Sequence, residues 1–257
     1  MKLLERHPNS EVSLSEEDGI RYLHFGSVWI QGAMRINQPY ALELEYTRQL
    51  FAGLLFNPAP RNLLLLGLGA ASASKFAWKQ FPKARVTTVE LNPAVITCAR
   101  QYFSLPQDST RMRTVVEDGA AWVAAHPASC DYLVVDVYDA GAKGPVLSSP
   151  EFYADCRNAL AIDRLSVMAV NLFGKHKSCK VNIDNIARAF DGRMLALPPS
   201  ERGNVIVFGF AGPESESAWS ELRARATALR TSTGLEFPRW LDAFRQSNAH
   251  DEPGFRV

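Results

Sequence analysis

The stretch from Arg61 to Asn92, RNLLLLGLGAASASKFAWKQFPKARVTTVELN, constrains the fold more than any other part of the chain. Asn62 to Leu66 carries an unbroken leucine run, the pattern of a strand buried on both faces. It ends in the small-residue turn Gly67-Leu68-Gly69-Ala70-Ala71. A helix from Ser74 to Gln80 follows, with Ser72 or Ser74 as its cap, and Phe81-Pro82 stops it. A second buried strand, Arg85 to Val89, ends in Glu90. Strand, helix and strand in this order form one βαβ unit, so the two strands run parallel.

This unit already implies a chemistry. Glycines at a strand end let a ligand approach the backbone closely. A carboxylate at the tip of the next strand can accept hydrogen bonds from two ribose hydroxyls, and Glu90 has that position. The turn lacks the third glycine of a dinucleotide fingerprint, so a nucleoside with a small or neutral tail fits better than a pyrophosphate. The competing reading is a tight turn that only packs helix on sheet.

Further along, the alternation repeats. A helix is predicted from about Tyr40 to Phe56, with Leu42, Tyr46, Leu50 and Leu54 as its apolar stripe and Glu43 and Glu45 near its positive end. Asn92-Pro93 caps a helix running to about Tyr102. Arg113 to Glu117 reads as a strand ending in Asp118-Gly119, and Ala120 to Ala125 as a helix. Asp131 to Val135 is a strand that runs into Asp136-Val137-Tyr138-Asp139 and a small-residue loop. Pro150 to Leu160 and Val181 to Phe190 read as helices around a strand from Leu165 to Leu172. Arg193 to Leu197 and Asn204 to Phe210 read as paired late strands. Pro213 to Arg230 reads as an amphipathic helix, with a loose tail from about His250. Such alternation means an α/β, doubly wound, mostly parallel sheet, whose ligands bind beyond the carboxyl ends of the strands. Glu90, Asp118, Asp136 and Asp139 all fall at that edge.

Ahead of this lies a different pattern. Val12 to Leu14 and Ile20 to Phe25 alternate around a Glu17-Asp18-Gly19 turn, and Gly26-Ser27 leads into Val28 to Gln31. The expected division is a small β-meander over residues 1–36 and a main domain over 37–257. The meander could act as a lid, a pocket wall or a homodimer contact.

Composition excludes several classes. A net charge of +1 offers no nucleic-acid surface. The four cysteines are widely spaced, with neither zinc-ligand nor disulfide-framework patterning, so no metal is expected and a reducing cytoplasm is. The first residues lack the apolar core of a signal peptide, and no apolar run has membrane-spanning length.

The order GLGAA, VELNPAVI, VEDGAAW and DYLVVDVYD with GP and EFY after it resembles the spermidine synthase family of aminopropyltransferases over roughly Gln31 to Asn171. The resemblance implies a Rossmann-like, class I methyltransferase fold behind a small N-terminal β-domain. It implies transfer of an aminopropyl group from decarboxylated S-adenosylmethionine to a small-molecule amine. It assigns Gly67, Leu68 and Gly69 to the glycine-rich turn, Glu90 to the ribose, Leu91 to the adenosine flank and Asp118-Gly119 to the adenine. Asp136 and Asp139 match the Asp-x-x-Asp loop, with Asp139 as general base, Tyr138 beside it and Gly144-Pro145 soon after. Two positions depart from the family. Ala70 stands where an aspartate usually grips the aminopropyl ammonium, and Glu45-Tyr46 stands where a Tyr-Gln pair usually faces the amine. Glu45 is therefore a candidate for cation binding. Two alternatives stay open: a methyltransferase using intact S-adenosylmethionine, which the neutral Ala70 suits, and a non-catalytic nucleoside-binding protein.

Overall fold

The computed structural model describes residues 2–6, 12–26, 29–137, 148–251 and 253–257. Two larger sheets and a short ribbon organise the chain. The first sheet is an antiparallel meander of β1 (Lys2–Arg6), β2 (Val12–Glu17), β3 (Ile20–Phe25) and β4 (Gly32–Arg35). The strand predicted at Val28 to Gln31 is displaced: Trp29 to Gln31 lies outside the ladder, and Val28 outside the described residues. The pairing resumes where the Gln31 N–H donates to the Leu23 carbonyl. β1 was not expected.

The second sheet has the order β10-β11-β9-β8-β5-β6-β7. Its strands are β5 (Asn62–Leu66), β6 (Arg85–Glu90), β7 (Met112–Val116), β8 (Tyr132–Val135), β9 (Ser166–Phe173), β10 (Met194–Ala196) and β11 (Asn204–Ala211). β5 pairs in parallel with both β6 and β8, and β11 is antiparallel to both its neighbours. The order reverses at β5, which opens a crevice at its carboxyl end, where such sheets hold ligands.

The leucine run explains why β5 is central. Leu63 and Leu65 enter one apolar cluster, with the helices α2 (Ser72–Gln80), α3 (Pro93–Tyr102), α7 (Trp219–Thr233) and α8 (Phe237–Ser247). Leu64 and Leu66 enter the other, with α4 (Gly119–Ala125), α5 (Pro150–Ala159) and α6 (Ser178–Ala189). Successive side chains of a strand point to opposite faces, so a strand covered on both sides must be apolar throughout. Val12, Leu14, Leu23 and Met34 of the meander join the first cluster, which seats that sheet against the main one.

Three predicted elements change. The helix expected from Tyr40 to Phe56 is split into α1 (Glu45–Gln49) and a 3₁₀ turn, Ala52–Leu55. Gly53 sits in that turn, with Tyr132 and Val167 pressed against it, so packing rather than helical continuity sets the backbone here. Neither Ser72 nor Ser74 caps α2. Its first turn follows Ala71 in the left-handed conformation. Ser72 instead donates to the Ala33 carbonyl, and Ser74 bonds Thr88. The helix predicted from Pro213 begins only at Trp219, because β12 (Glu216–Ala218) pairs with β13 (Gly254–Arg256). The expected loose tail is therefore anchored: Phe255 and Val257 are buried, with Phe255 edge-on to Phe56 and Trp219. Among the described residues, no helix is long and apolar enough to cross a membrane.

Candidate active site

A cavity of about 1040 Å³ opens at the carboxyl edge of the main sheet. The glycine turn after β5 forms its floor. Gly67 has a φ of +91°, and a Cβ there would lie 2.3 Å from the Asp136 carbonyl oxygen, so no side chain fits. Gly32 closes the wall above: a Cβ on it would lie 2.6 Å from the Ala70 Cβ. Ala70 is thus packed under the meander and presents no polar group to the cavity.

Glu90 stands beside this turn. Its Oε2 accepts from the Leu68 N–H at 3.0 Å and its Oε1 from the Asn92 N–H at 2.9 Å. The Leu91 N–H also hydrogen-bonds this carboxylate, and lone-pair capacity still remains for a ligand. Burial pushes its carboxyl above the ordinary value, and the surrounding backbone N–H groups oppose that shift. Asp118 follows β7 and caps α4, its Oδ1 accepting from Ala120 and Ala121 at 2.8 and 3.0 Å. Gly67, Leu68, Gly69, Glu90, Leu91, Asp118 and Gly119 all line the one cavity. Leu91 is 67% exposed, an apolar side chain held at the mouth.

Asp136 extends the site toward the far end. Its Oδ1 accepts from Asn171 Nδ2 at 2.9 Å, and Tyr46 also hydrogen-bonds it. Asn171 in turn accepts from Asn204 Nδ2 at 3.0 Å. Burial raises the Asp136 carboxyl above its usual range, while Asn171 and Tyr46 counter part of that rise. Tyr46 and Glu45 belong to the same cavity. Glu45 accepts from the Glu201 N–H at 3.2 Å, so it is tied to the Ser200–Arg202 turn. Glu43 precedes α1 and is held by Arg35 through two hydrogen bonds. Arg48 is paired with Glu236. Tyr138, Asp139, Gly144 and Pro145 lie outside the described residues.

Every described member of the predicted site is thus brought to one cavity. Sequence reasoning missed Asn171 and Asn204, although an amide inside the apolar run SVMAVNLF was a visible signal for the first. It also missed the turns at Lys175-His176 and Ser200–Arg202, which carry no local motif. Among the described residues, no cluster of His, Cys, Asp or Glu is arranged to hold a metal ion.

A mostly parallel sheet with this strand order, a glycine turn after β5 and acids at successive strand ends defines a Rossmann-like protein of the class I methyltransferase type. Residues 50–210 match the model of the spermine/spermidine synthase domain. A polyamine aminopropyltransferase from Chromobacterium violaceum is 35% identical over 238 residues, covering 93% of this chain and 90% of that protein. One from Neisseria meningitidis is 34% identical over 248 residues, covering 96% and 94%. Among solved structures, a probable spermidine synthase from Corynebacterium glutamicum superposes with a TM-score of 0.71 at 22% identity, over 97% of this chain and 95% of that one. The chain belongs to the spermine/spermidine synthase family.

Proposed function

We propose that the protein transfers an aminopropyl group from decarboxylated S-adenosylmethionine to a small-molecule amine. The observation that carries this reading is the convergence of Glu90, Asp118 and Asp136 with Tyr46 on one cavity at the switch point of the sheet. The aminopropyltransferases to which the chain is similar over nearly its whole length support it.

In this reading the Gly67-Leu68-Gly69 turn and Glu90 hold the ribose, with Leu91 and Asp118-Gly119 about the adenine. The acceptor amine nitrogen attacks the aminopropyl carbon bonded to sulfur. A C–N bond forms, the C–S bond breaks, and its electron pair neutralises the sulfonium to give methylthioadenosine. The acceptor is an ammonium at neutral pH and must lose a proton to attack. Asp139 accepts that proton, while Asp136, Tyr46 and Glu45 hold the amine in line. The sulfonium is already a good leaving group, so positioning supplies much of the rate. Ala70 leaves the donor's ammonium without the carboxylate usual in this family.

Methylthioadenosine release, followed by chromatography with each form of the donor and a panel of amines, tests the reading. Turnover is expected with the decarboxylated donor. Preference for intact S-adenosylmethionine overturns it in favour of methyl transfer. Asp139→Asn should abolish turnover and leave nucleoside affinity nearly intact. Glu90→Ala should weaken nucleoside binding about ten- to a hundredfold, the range for losing hydrogen bonds to a charged group.

A further inference from the structure

The donor of the proposed reaction carries an ammonium at the end of its aminopropyl arm, and the wall beside the glycine turn offers that charge no carboxylate. Among the described residues, the meander lines the cavity with Val12, Phe25, Trp29, Ile30, Gln31 and Gly32, all uncharged. The turn from Gly67 to Ala70 below them is uncharged as well. The acids of the cavity stand on other elements: Glu43 and Glu45 at the start of α1, Glu90, Asp118 and Asp136 at strand ends, and Glu201 before β11. Glu43 among them is already bound to Arg35.

Trp29 stands out on this wall. It is 60% exposed, while Phe25 and Ile30 beside it are half-buried and Val12 is buried. Its backbone is nevertheless held. The carbonyl of Trp29 can only accept, so His24 donates to it through Nδ1–H at 3.1 Å. In the neutral ring His24 Nε2 then accepts from Ser15 Oγ at 2.7 Å, and both of these side chains are buried. Two residues further on, the Gln31 N–H donates to the Leu23 carbonyl at 2.8 Å, and the Gln31 carbonyl oxygen lies 3.1 Å from where a Gly69 Cβ would stand. The segment that carries Trp29 is thus laid against the glycine turn and fixed there, with an indole presented to the cavity. The face of an indole carries negative charge density and attracts a cation more strongly than the ring of Tyr or Phe.

We infer that Trp29 binds the ammonium of the donor's aminopropyl arm by a cation–π contact, taking the place of a carboxylate on the glycine turn. The inference deepens the aminopropyl-transfer reading and rests on it. It accounts for a donor site in which Ala70 is closed beneath Gly32 and offers no polar group. The same negative face repels a carboxylate, so the contact favours the decarboxylated donor over the intact one.

The test uses a pair of uncharged-sulfur analogues of the donor, 5′-(3-aminopropylthio)-5′-deoxyadenosine and 5′-propylthio-5′-deoxyadenosine, which differ only by the terminal ammonium. Binding of each is measured by calorimetry, so the answer does not depend on turnover. The wild-type protein should bind the amine about fivefold more tightly, as expected for a cation–π contact at a partly exposed site. The contrast should fall to about twofold in Trp29→Phe and vanish in Trp29→Leu. Affinity for the propyl compound should change by less than about twofold in both variants, because each keeps an apolar wall. No preference for the amine in the wild-type protein, no binding of either compound, a contrast that survives in Trp29→Leu, or an equal loss of both compounds there would each overturn the inference. Methylthioadenosine release from the decarboxylated donor, measured in parallel on the wild-type protein, reports on aminopropyl transfer itself. Turnover with a contrast indifferent to Trp29 sinks the inference and keeps the proposed function. A contrast that depends on Trp29 without turnover of any amine keeps the cation site and removes the transfer.

Discussion

Replacing Asn171 by leucine isolates the hydrogen bond that holds Asp136 in the cavity. The side chain lies in β9, buried where the strand borders the cavity, and leucine has the same branched shape and number of side-chain heavy atoms, so cavity formation contributes little. At least two bonds are lost: Asn171 Nδ2 to Asp136 Oδ1 at 2.9 Å, and Asn204 Nδ2 to Asn171 Oδ1 at 3.0 Å. A hydrogen bond to a charged group contributes about 1.5–3 kcal/mol and a neutral one about 1 kcal/mol. The expected loss at pH 7.5 is therefore about 2–4 kcal/mol. Burial already raises the Asp136 carboxyl, so ionisation disfavours the fold as pH climbs from the unfolded carboxylate range through the raised native value. Without Asn171 that value rises further and the window of lost stability widens upward. The effect should shrink toward about 2 kcal/mol at the lowest pH at which the protein stays folded, as Asp136 becomes protonated and both bonds become neutral. Urea unfolding of both proteins at the two pH values measures this. In an Asp136→Asn background, the pH-dependent part should disappear. A loss that is the same at both pH values would refute the assignment of the charge-assisted bond.

Two further outcomes follow from buried groups elsewhere. Lys75 is buried without a carboxylate among its hydrogen-bond partners, its Nζ donating to the Phe103 carbonyl at 2.6 Å, and desolvation lowers its pKa to about 7. Between about pH 7 and pH 10 the unfolded chain holds a proton that the native state has released, so stability should rise with pH by up to roughly 4 kcal/mol. Lys75→Met should flatten that slope in urea titrations, and an unchanged slope would remove Lys75 as its source. Phe255→Ala should lower stability by about 3–5 kcal/mol, the range for emptying a buried aromatic site, because its ring packs on Phe56, Trp219 and Phe244. Thermal unfolding measures it, and a loss under about 1 kcal/mol would mean the terminal strand is not part of the core.

Much of the fold was legible because it follows from short-range patterns. The leucines of β5 report a strand covered on both faces. Asn92-Pro93 marks the start of α3, and the Asn92 side chain does accept from Ala94. Where local signals compete with packing, they mislead. The serines after the glycine turn look like caps, yet they are drawn to Ala33 and Thr88 on neighbouring strands. The apolar stripe of Leu42, Tyr46, Leu50 and Leu54 looks like one long helix, yet Leu42 precedes α1, Tyr46 lies in it, Leu50 caps it, and Leu54 lies in a 3₁₀ turn packed on Tyr132 and Val167. The tail reads as polar and loose, yet its single phenylalanine finds an aromatic cluster built from three distant segments.

The amino-acid order by itself determined the mostly parallel sheet, the glycine turn and the row of acids at the strand ends. Those depend on side-chain periodicity and on the backbone freedom of a few residues, which are properties of neighbours in the chain. Tertiary structure alone decided that Ala70 lies closed beneath Gly32, that Asp136 is held by Asn171, and that Glu45 meets the Ser200–Arg202 turn. These are contacts between segments far apart in sequence, set by how layers pack, and no local pattern encodes them.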